Sequence, residues 1–408
     1  MSKIVIKNVN LIDGSGEDVQ KNVSVVIEDG KFTKIASDAD VSSGEVIDGQ
    51  GKYMLPGMID THVHLSTEFK PLAERVATPF SYNFYEAIRY AERTIDAGVT
   101  TVRDALGSSL GFKQAINDGL VRGPRMQVSI NGLSITGGHG DGLNYSGIDL
   151  GIVHPYEGMP DAIADGVEEV RKKTREMLRA GADVIKVMAT GGVSSPTDHP
   201  KFTQYSLEEL KVIVEEAQFR NGVKVMAHAQ GLEGIKNCVE AGIHSIEHGI
   251  YLDDEVIEKM KEKGTYLVPT LLAPVSVIEF ADELGISEVG LKKSKEVMDA
   301  HRESFKKAYD AGVKIAMGTD AGVFKHGTNL RELELMVDAG ATPMDAIVIS
   351  TKNAAECMEI ENLGLVKEGY LADFILVDGN PLDDVGLLKD NDRIKVVAKD
   401  GKVLKSIE

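Results

Sequence analysis

Cysteine is scarce. Cys238 and Cys357 are the only two in 408 residues, and they stand far apart in the chain. A disulfide framework is therefore not expected, and a reducing compartment fits. Long apolar runs are missing as well, so no stretch offers a membrane-crossing helix. The first residues, Met1-Ser-Lys-Ile-Val-Ile-Lys7, enter a strand pattern at once, without an apolar leader core. A cytoplasmic protein without a membrane partner is the expectation. Positive charge is in deficit: 45 Lys and Arg face 64 Asp and Glu, for a net charge of −19. That argues against nucleic acid and anionic membrane surfaces as partners. Low-complexity tracts are absent, while 42% of residues are hydrophobic and 42 are glycine. Such a chain folds, and its length holds one large domain or a large domain with a smaller companion.

The two ends of the chain read alike. Ile4-Val-Ile6, Val23-Ser-Val-Val-Ile27 and Phe32-Thr-Lys-Ile-Ala36 are short β-branched runs bounded by Asp13-Gly-Ser-Gly16, Asp29-Gly30 and Asp48-Gly-Gln-Gly51. Ala372–Asp378, Ile394–Ala398 and Lys402–Leu404 repeat that character. The simplest arrangement is a small β-sandwich domain formed by both termini, residues 1–56 and 359–408. Residues 57–358 would be a second domain inserted between them.

The middle repeats a helix that ends in glycine and then an apolar strand. Gly98, Gly181, Gly222, Gly242, Gly264 and Gly312 each close a helical stretch before such a strand. With Met58–His64 and Arg125–Ile130 added, the count is eight. Alternating strands and helices imply parallel βαβ units. Eight of them suggest an α/β fold of the (β/α)8 TIM barrel type, with its site at the C-terminal strand ends. An open doubly wound sheet is the alternative. The glycine-rich Thr136–Gly142 is no phosphate loop, since it lacks both GxGxxG and the GK[ST] ending.

Asp60-Thr-His-Val-His64 ends the first of these strands. In an extended strand His62 and His64 point to one face and can reach one metal. Lys186 lies in the fourth strand, His228 ends the fifth, His248 the sixth and Asp320 the eighth. Imidazole and carboxylate suit Zn²⁺ and related ions. A lysine in the apolar run Val184-Ile-Lys-Val-Met188 is costly to bury unpaired. It either pairs with a carboxylate, reaches the rim, or has reacted with CO₂ to give an anionic carbamate able to bridge two metals.

These residues, in this order and between sandwich-forming ends, resemble the amidohydrolase superfamily of metal-dependent hydrolases. Pro56-Gly57, Gly318-Thr-Asp320 and Gly369-Tyr-Leu-Ala-Asp-Phe374 extend the likeness nearly end to end. The resemblance implies two divalent ions, zinc being expected. His62, His64 and Asp320 would hold the more buried one, His228 and His248 the second, and carboxylated Lys186 both. A bridging hydroxide would be the nucleophile, with Asp320 as general base and then acid.

Within the superfamily the likeness is to the branch of imidazolonepropionase-like proteins, prolidases and carboxypeptidases. It rests on Thr136-Gly-Gly-His-Gly-Asp141, Ala189-Thr-Gly-Gly-Val-Ser-Ser-Pro196 and His248-Gly249. By that likeness His139 touches substrate or its tetrahedral intermediate; satisfaction by loop carbonyls is the plainer alternative. Gln230 stands where prolidase-like relatives place a tyrosine, so the substrate carboxylate could fall to Gln230, Tyr251 or His326. The expected reaction is hydrolysis of the bond before a C-terminal residue, Arg or Lys preferred, in dipeptides, short peptides or N-acyl amino acids. Asp141, Asp198 and Glu279 are candidates to meet the cationic side chain. A prolidase, or a cyclic-amide hydrolase or deaminase, is the alternative; a non-catalytic relative would have lost ligands that this chain retains. Arg103-Asp104 could orient the site or form a buried pair, and Phe80–Tyr90 reads as core or subunit contact. Relatives often form higher oligomers, so a homo-oligomer is expected.

Overall fold

A computed structural model describes residues 3–37, 44–151, 153–193, 198–284 and 286–407. The N-terminal strands are β1 (Lys3–Leu11), β2 (Gln20–Glu28), β3 (Lys31–Ala36), β4 (Glu45–Asp48) and β5 (Tyr53–Pro56). The central strands are β6 (Met58–Val63), β7 (Val99–Asp104), β8 (Arg125–Val128), β9 (Gly132–Leu133), β10 (Val184–Met188), β11 (Lys224–Ala229), β12 (Ser245–His248) and β13 (Tyr266–Val268). Then come β14 (Phe374–Val377), β15 (Ile394–Lys399) and β16 (Lys402–Ser406). Strands from both ends of the chain share one eight-stranded sheet, in the order β16-β15-β14-β5-β1-β2-β3, with β4 on β1. Where a sandwich is expected, the strands of both termini form one sheet that runs through β1. Its ladder to β2 shifts between Ile6 and Val9, and Asn8 takes φ 57°. The first part of β1 pairs with β4 and the last part with β5. An irregularity of this kind bends a strand and turns its edge. Ile6, Val25, Phe32, Phe374 and Val396 fill the space inside the bend.

The central strands are parallel throughout, in the sets β6-β7-β8 and β9-β10-β11-β12-β13. All six helix-ending glycines have positive φ, from 68° at Gly264 to 95° at Gly181. Two expected strands differ. The third breaks after Val128, because Ile130 turns to φ 70°, and resumes at Gly132 beside Lys186. The eighth, expected over 313–320, forms no continuous ladder. It is tied by Leu267 N to the Lys314 carbonyl, Thr61 N to the Met317 carbonyl and Asp320 N to the His62 carbonyl. Gly318 explains the tight passage, since a Cβ there would lie 2.3 Å from Val268 and 2.8 Å from His62. Among the described residues no helix is long and apolar enough to cross a membrane.

Candidate metal centre

Alternate residues of a strand share a face, and parallel strands bring their C-terminal ends together. His62 is on β6 and His64 just beyond it; Lys186 is on β10, His228 on β11, His248 ends β12, and Asp320 follows Gly318. One ligand atom each from His62, His248 and Asp320 lie within 4.8 Å of one another. Asp320 Oδ1 is 2.9 Å from His64 Nε2 and 3.4 Å from His62 Nε2. The His228 ring stands 4.6 Å from that of His248, and the His139 ring stacks on His228 at 4.3 Å. His248 and Asp320 both hold left-handed backbone, φ 71° and 65°. Such conformations cost energy in non-glycine residues and persist where surrounding structure enforces them.

The imidazole protons point away from the centre. His62 Nδ1 donates to Glu247 Oε2 at 2.6 Å, His64 Nδ1 to the Leu106 carbonyl at 3.2 Å, and His228 Nε2 to the Gly191 carbonyl at 3.1 Å. A carboxylate or carbonyl only accepts, so each of these nitrogens carries a proton and the other nitrogen of each ring is left for other partners. The Nε2 atoms of His62 and His64 both face Asp320 Oδ1; burial acts to lower the His64 pKa, but the Asp320 carboxylate outweighs it and raises the value. Deprotonated at Nε2, the two rings with the carboxylate form a donor set that fits a divalent ion. Burial drives the His228 and His248 pKa values well below the usual range, for His248 against the attraction of Asp320, so both rings are neutral as ligands must be.

Lys186 is buried, and burial lowers its amine to about 8 against the attraction of Glu247 and Asp320. Gly132 leaves room for its stem: a Cβ there would be 3.2 Å from Lys186 Cγ. His139 Nδ1 is 3.2 Å from Asp198 Oδ2, so a carboxylate rather than a loop carbonyl satisfies it. Gln230 is buried, its Oε1 without a partner among the described residues. Tyr251 is half-buried, with Lys201 Nζ 5.0 Å over its ring. His326 stands apart from these: it stacks on Tyr90, and its Nε2 donates to the Thr67 carbonyl at 2.8 Å. The stretch Ser194–Pro196 lies outside the described residues.

Several participants escape a reading of the sequence. Glu247 accepts from His62 and from Arg103. Burial alone would raise its pKa, yet Arg103 and His62 bring it down to about 2. Asp60 accepts from His62 N, Thr319 and Asn329, tying β6 to the Asp320 turn. Thr270, at φ 51°, meets His248 Nδ1 at 2.7 Å. The available signal was a Glu in the fully buried strand that ends in His248. Asp104 takes a positioning role rather than a pair with Arg103: it accepts from Leu65 N and Ser108 behind His64.

A parallel α/β scaffold that gathers His62, His248 and Asp320 in this way offers a possible metal site. The chain belongs to the amidohydrolase family, which residues 53–404 match. It is 36% identical over 416 residues to the ochratoxinase of Aspergillus niger, covering 97% of this chain and 85% of that protein. A solved Xaa-Pro dipeptidase with methionine bound in its active site is 35% identical, with a TM-score of 0.90 over 99% of this chain and 100% of the other. A prolidase complexed with N-methylphosphonate-L-proline is 32% identical, with a TM-score of 0.92 over the whole of both chains. The protein is therefore a hydrolase, of a family that is typically metal-dependent.

Proposed function

We propose that this protein hydrolyses the amide bond joining a C-terminal amino acid to an acyl group or short peptide, using two divalent metal ions, zinc by preference. The observation that carries the reading is the convergence of His62 Nε2 and His64 Nε2 on Asp320 Oδ1, with His248 beside them. The backbone ties of residues 314–320 to β6 and β13 support a closed (β/α)8 barrel around it. Bound ions would supply Lewis acidity and a water that ionises near neutral pH. His62, His64 and Asp320 would hold one and His228 and His248 the other. The lowered Lys186 amine favours carbamate formation, which would place an anion between them. Asp320 would take the proton of the attacking water and return it to the leaving amine. His139, held by Asp198, would face the substrate carbonyl.

The released residue is a neutral one in this reading. This follows the relatives solved with methionine in the active site and with N-methylphosphonate-L-proline; of the carboxylates considered for a cationic side chain, Asp198 keeps a buried oxygen, Oδ1, without a partner among the described residues. Glu279 pairs with Arg331, Asp141 accepts from Gly137 N and Leu143 N, and Asp198 accepts from His139, Gly192 and Gln204. Gln230 and Tyr251 remain to meet the substrate carboxylate. The substrate is thus a small molecule. Self-association would suit the exposed Phe80 and Phe84, which pack edge to face with Tyr156.

Metal analysis with a library of N-acyl amino acids and dipeptides tests this. About two metals per chain and release of proline or another neutral residue is the expected outcome. Faster release of Arg or Lys would keep the chemistry and overturn the pocket. One metal and no amide hydrolysis would overturn the whole reading in favour of deamination or cyclic amides.

A further inference from the structure

Arg103 and Glu247 meet inside the central strands, on β7 and β12, almost without exposure to solvent. Glu247 Oε1 accepts from Arg103 Nη2 at 3.0 Å and from Ser245 Oγ at 2.5 Å. Its Oε2 accepts from His62 Nδ1 at 2.6 Å. Arg103 Nε, in turn, donates to the Thr61 carbonyl at 2.7 Å. The circuit closes on itself: the carbonyl just before His62, then Arg103, then Glu247, then the His62 ring. Both the backbone and the imidazole of one candidate ligand are held by a single buried ion pair.

We propose that Glu247, held by Arg103, is a positioning residue that sets the tautomer of His62 and thereby the affinity of its site for a divalent cation. The inference rests on the metal reading above. A carboxylate accepts at both oxygens, so it keeps the proton on Nδ1 and leaves the Nε2 lone pair toward Asp320. In E247Q the packing would be nearly unchanged, but the amide has a preferred orientation. Arg103 and Ser245 both donate toward Oε1, so the amide oxygen settles there. The NH₂ group then faces His62 Nδ1 and needs an acceptor. The proton moves to Nε2, which can no longer ligate.

The test uses the full chain, stripped by chelator and titrated with Zn²⁺ against a competing chromophoric chelator. E247Q is expected to lower Zn²⁺ affinity at one site about 10–100-fold. Nitrogen-15 shifts should move the His62 ring proton from Nδ1 to Nε2, a change that a merely structural role would not produce. R103M leaves the Glu247 charge unpaired and should destabilise the metal-free protein. The double variant R103M/E247Q removes both charges; metal-free stability should recover while Zn²⁺ binding stays weak. E247Q with wild-type affinity, or a double variant that regains affinity together with stability, would overturn the proposal. If E247Q fails to fold, the double variant carries the same comparison, and E247D, which keeps the charge but shortens its reach to His62, gives a second. A wild-type chain that takes up no Zn²⁺ would instead sink the metal reading itself.

Discussion

The terminal sheet and the central strands bury different chemistry. Inside the terminal sheet lie Ile6, Val25, Phe32, Phe374 and Val396, apolar and close-packed, with Phe32 and Phe374 rings 6.5 Å apart. Within the central strands Asp60, Arg103, Lys186 and Glu247 are each at most 1% exposed, as is Glu332 on the helix over Arg331–Asp338. Apolar burial stabilises without regard to direction, by about 25 cal/mol per Å². A buried ion costs several kcal/mol unless its partners are placed well, and such pairs are weak evidence of stability. The first region therefore holds the ends of the chain together. The second gives up stability for a fixed electrostatic arrangement, and its partners lie far off in sequence, as Glu247 does from His62.

That contrast can be broken by experiment. The largest effect is expected for D320N, which should lower kcat about 10²–10⁴-fold by removing the proton carrier. Urea unfolding of its metal-free form should change little. Retained turnover would make the polar cluster a structural one. In the other region Phe374→Ala should cost about 3–5 kcal/mol in urea unfolding. Its kcat/KM per folded molecule should match wild type, and a fall there would couple the two regions.

A pH measurement sharpens the comparison further. Burial raises the Glu332 carboxyl to about 8, and nearby Asp60 and Asp320 push the same way against the N–H groups of Leu271 and Leu272. Unfolded, it titrates near 4.5. Between these values the folded chain binds the extra proton, so stability should fall as pH rises from about 4.5 to 8. Glu332→Gln in the metal-free protein should flatten that slope, and parallel slopes would exclude Glu332 as its source. The smallest effect belongs to the surface. Lys306→Ala breaks an exposed pair with Asp310 and should shift stability by less than about 0.5 kcal/mol.

Much of the central architecture was legible because it repeats. Gly242, Gly264 and Gly312 directly follow their helices as left-handed caps, and the segments after Gly222, Gly242 and Gly312 put His228, His248 and Asp320 near their ends. The eighth strand was less so. Its pattern is that of a strand, but Gly318 brings it too near His62 and Val268 to keep a regular ladder. His326 drew notice as a loop histidine, yet Tyr90 and the Thr67 carbonyl claim it. Asp198 reads as a candidate to meet a cationic side chain and lies buried against His139. In each case the competing partner is remote in the chain, and no local period announces it.

The ordered motifs made the resemblance to the family legible, and periodicity and residue type by themselves determined the parallel α/β organisation and which side chains end the central strands. These follow from local rules: glycine closes a helix, and alternate residues of a strand share a face. Only the tertiary structure decided where each imidazole proton sits. That depends on which acceptor lies behind the ring: Glu247 for His62, the Leu106 carbonyl for His64 and the Gly191 carbonyl for His228. It also decided which carboxylates are spent and which are free. A hydrogen bond is selected over a few tenths of an ångström, and that precision arises from packing between strands, not from the order of residues along one of them.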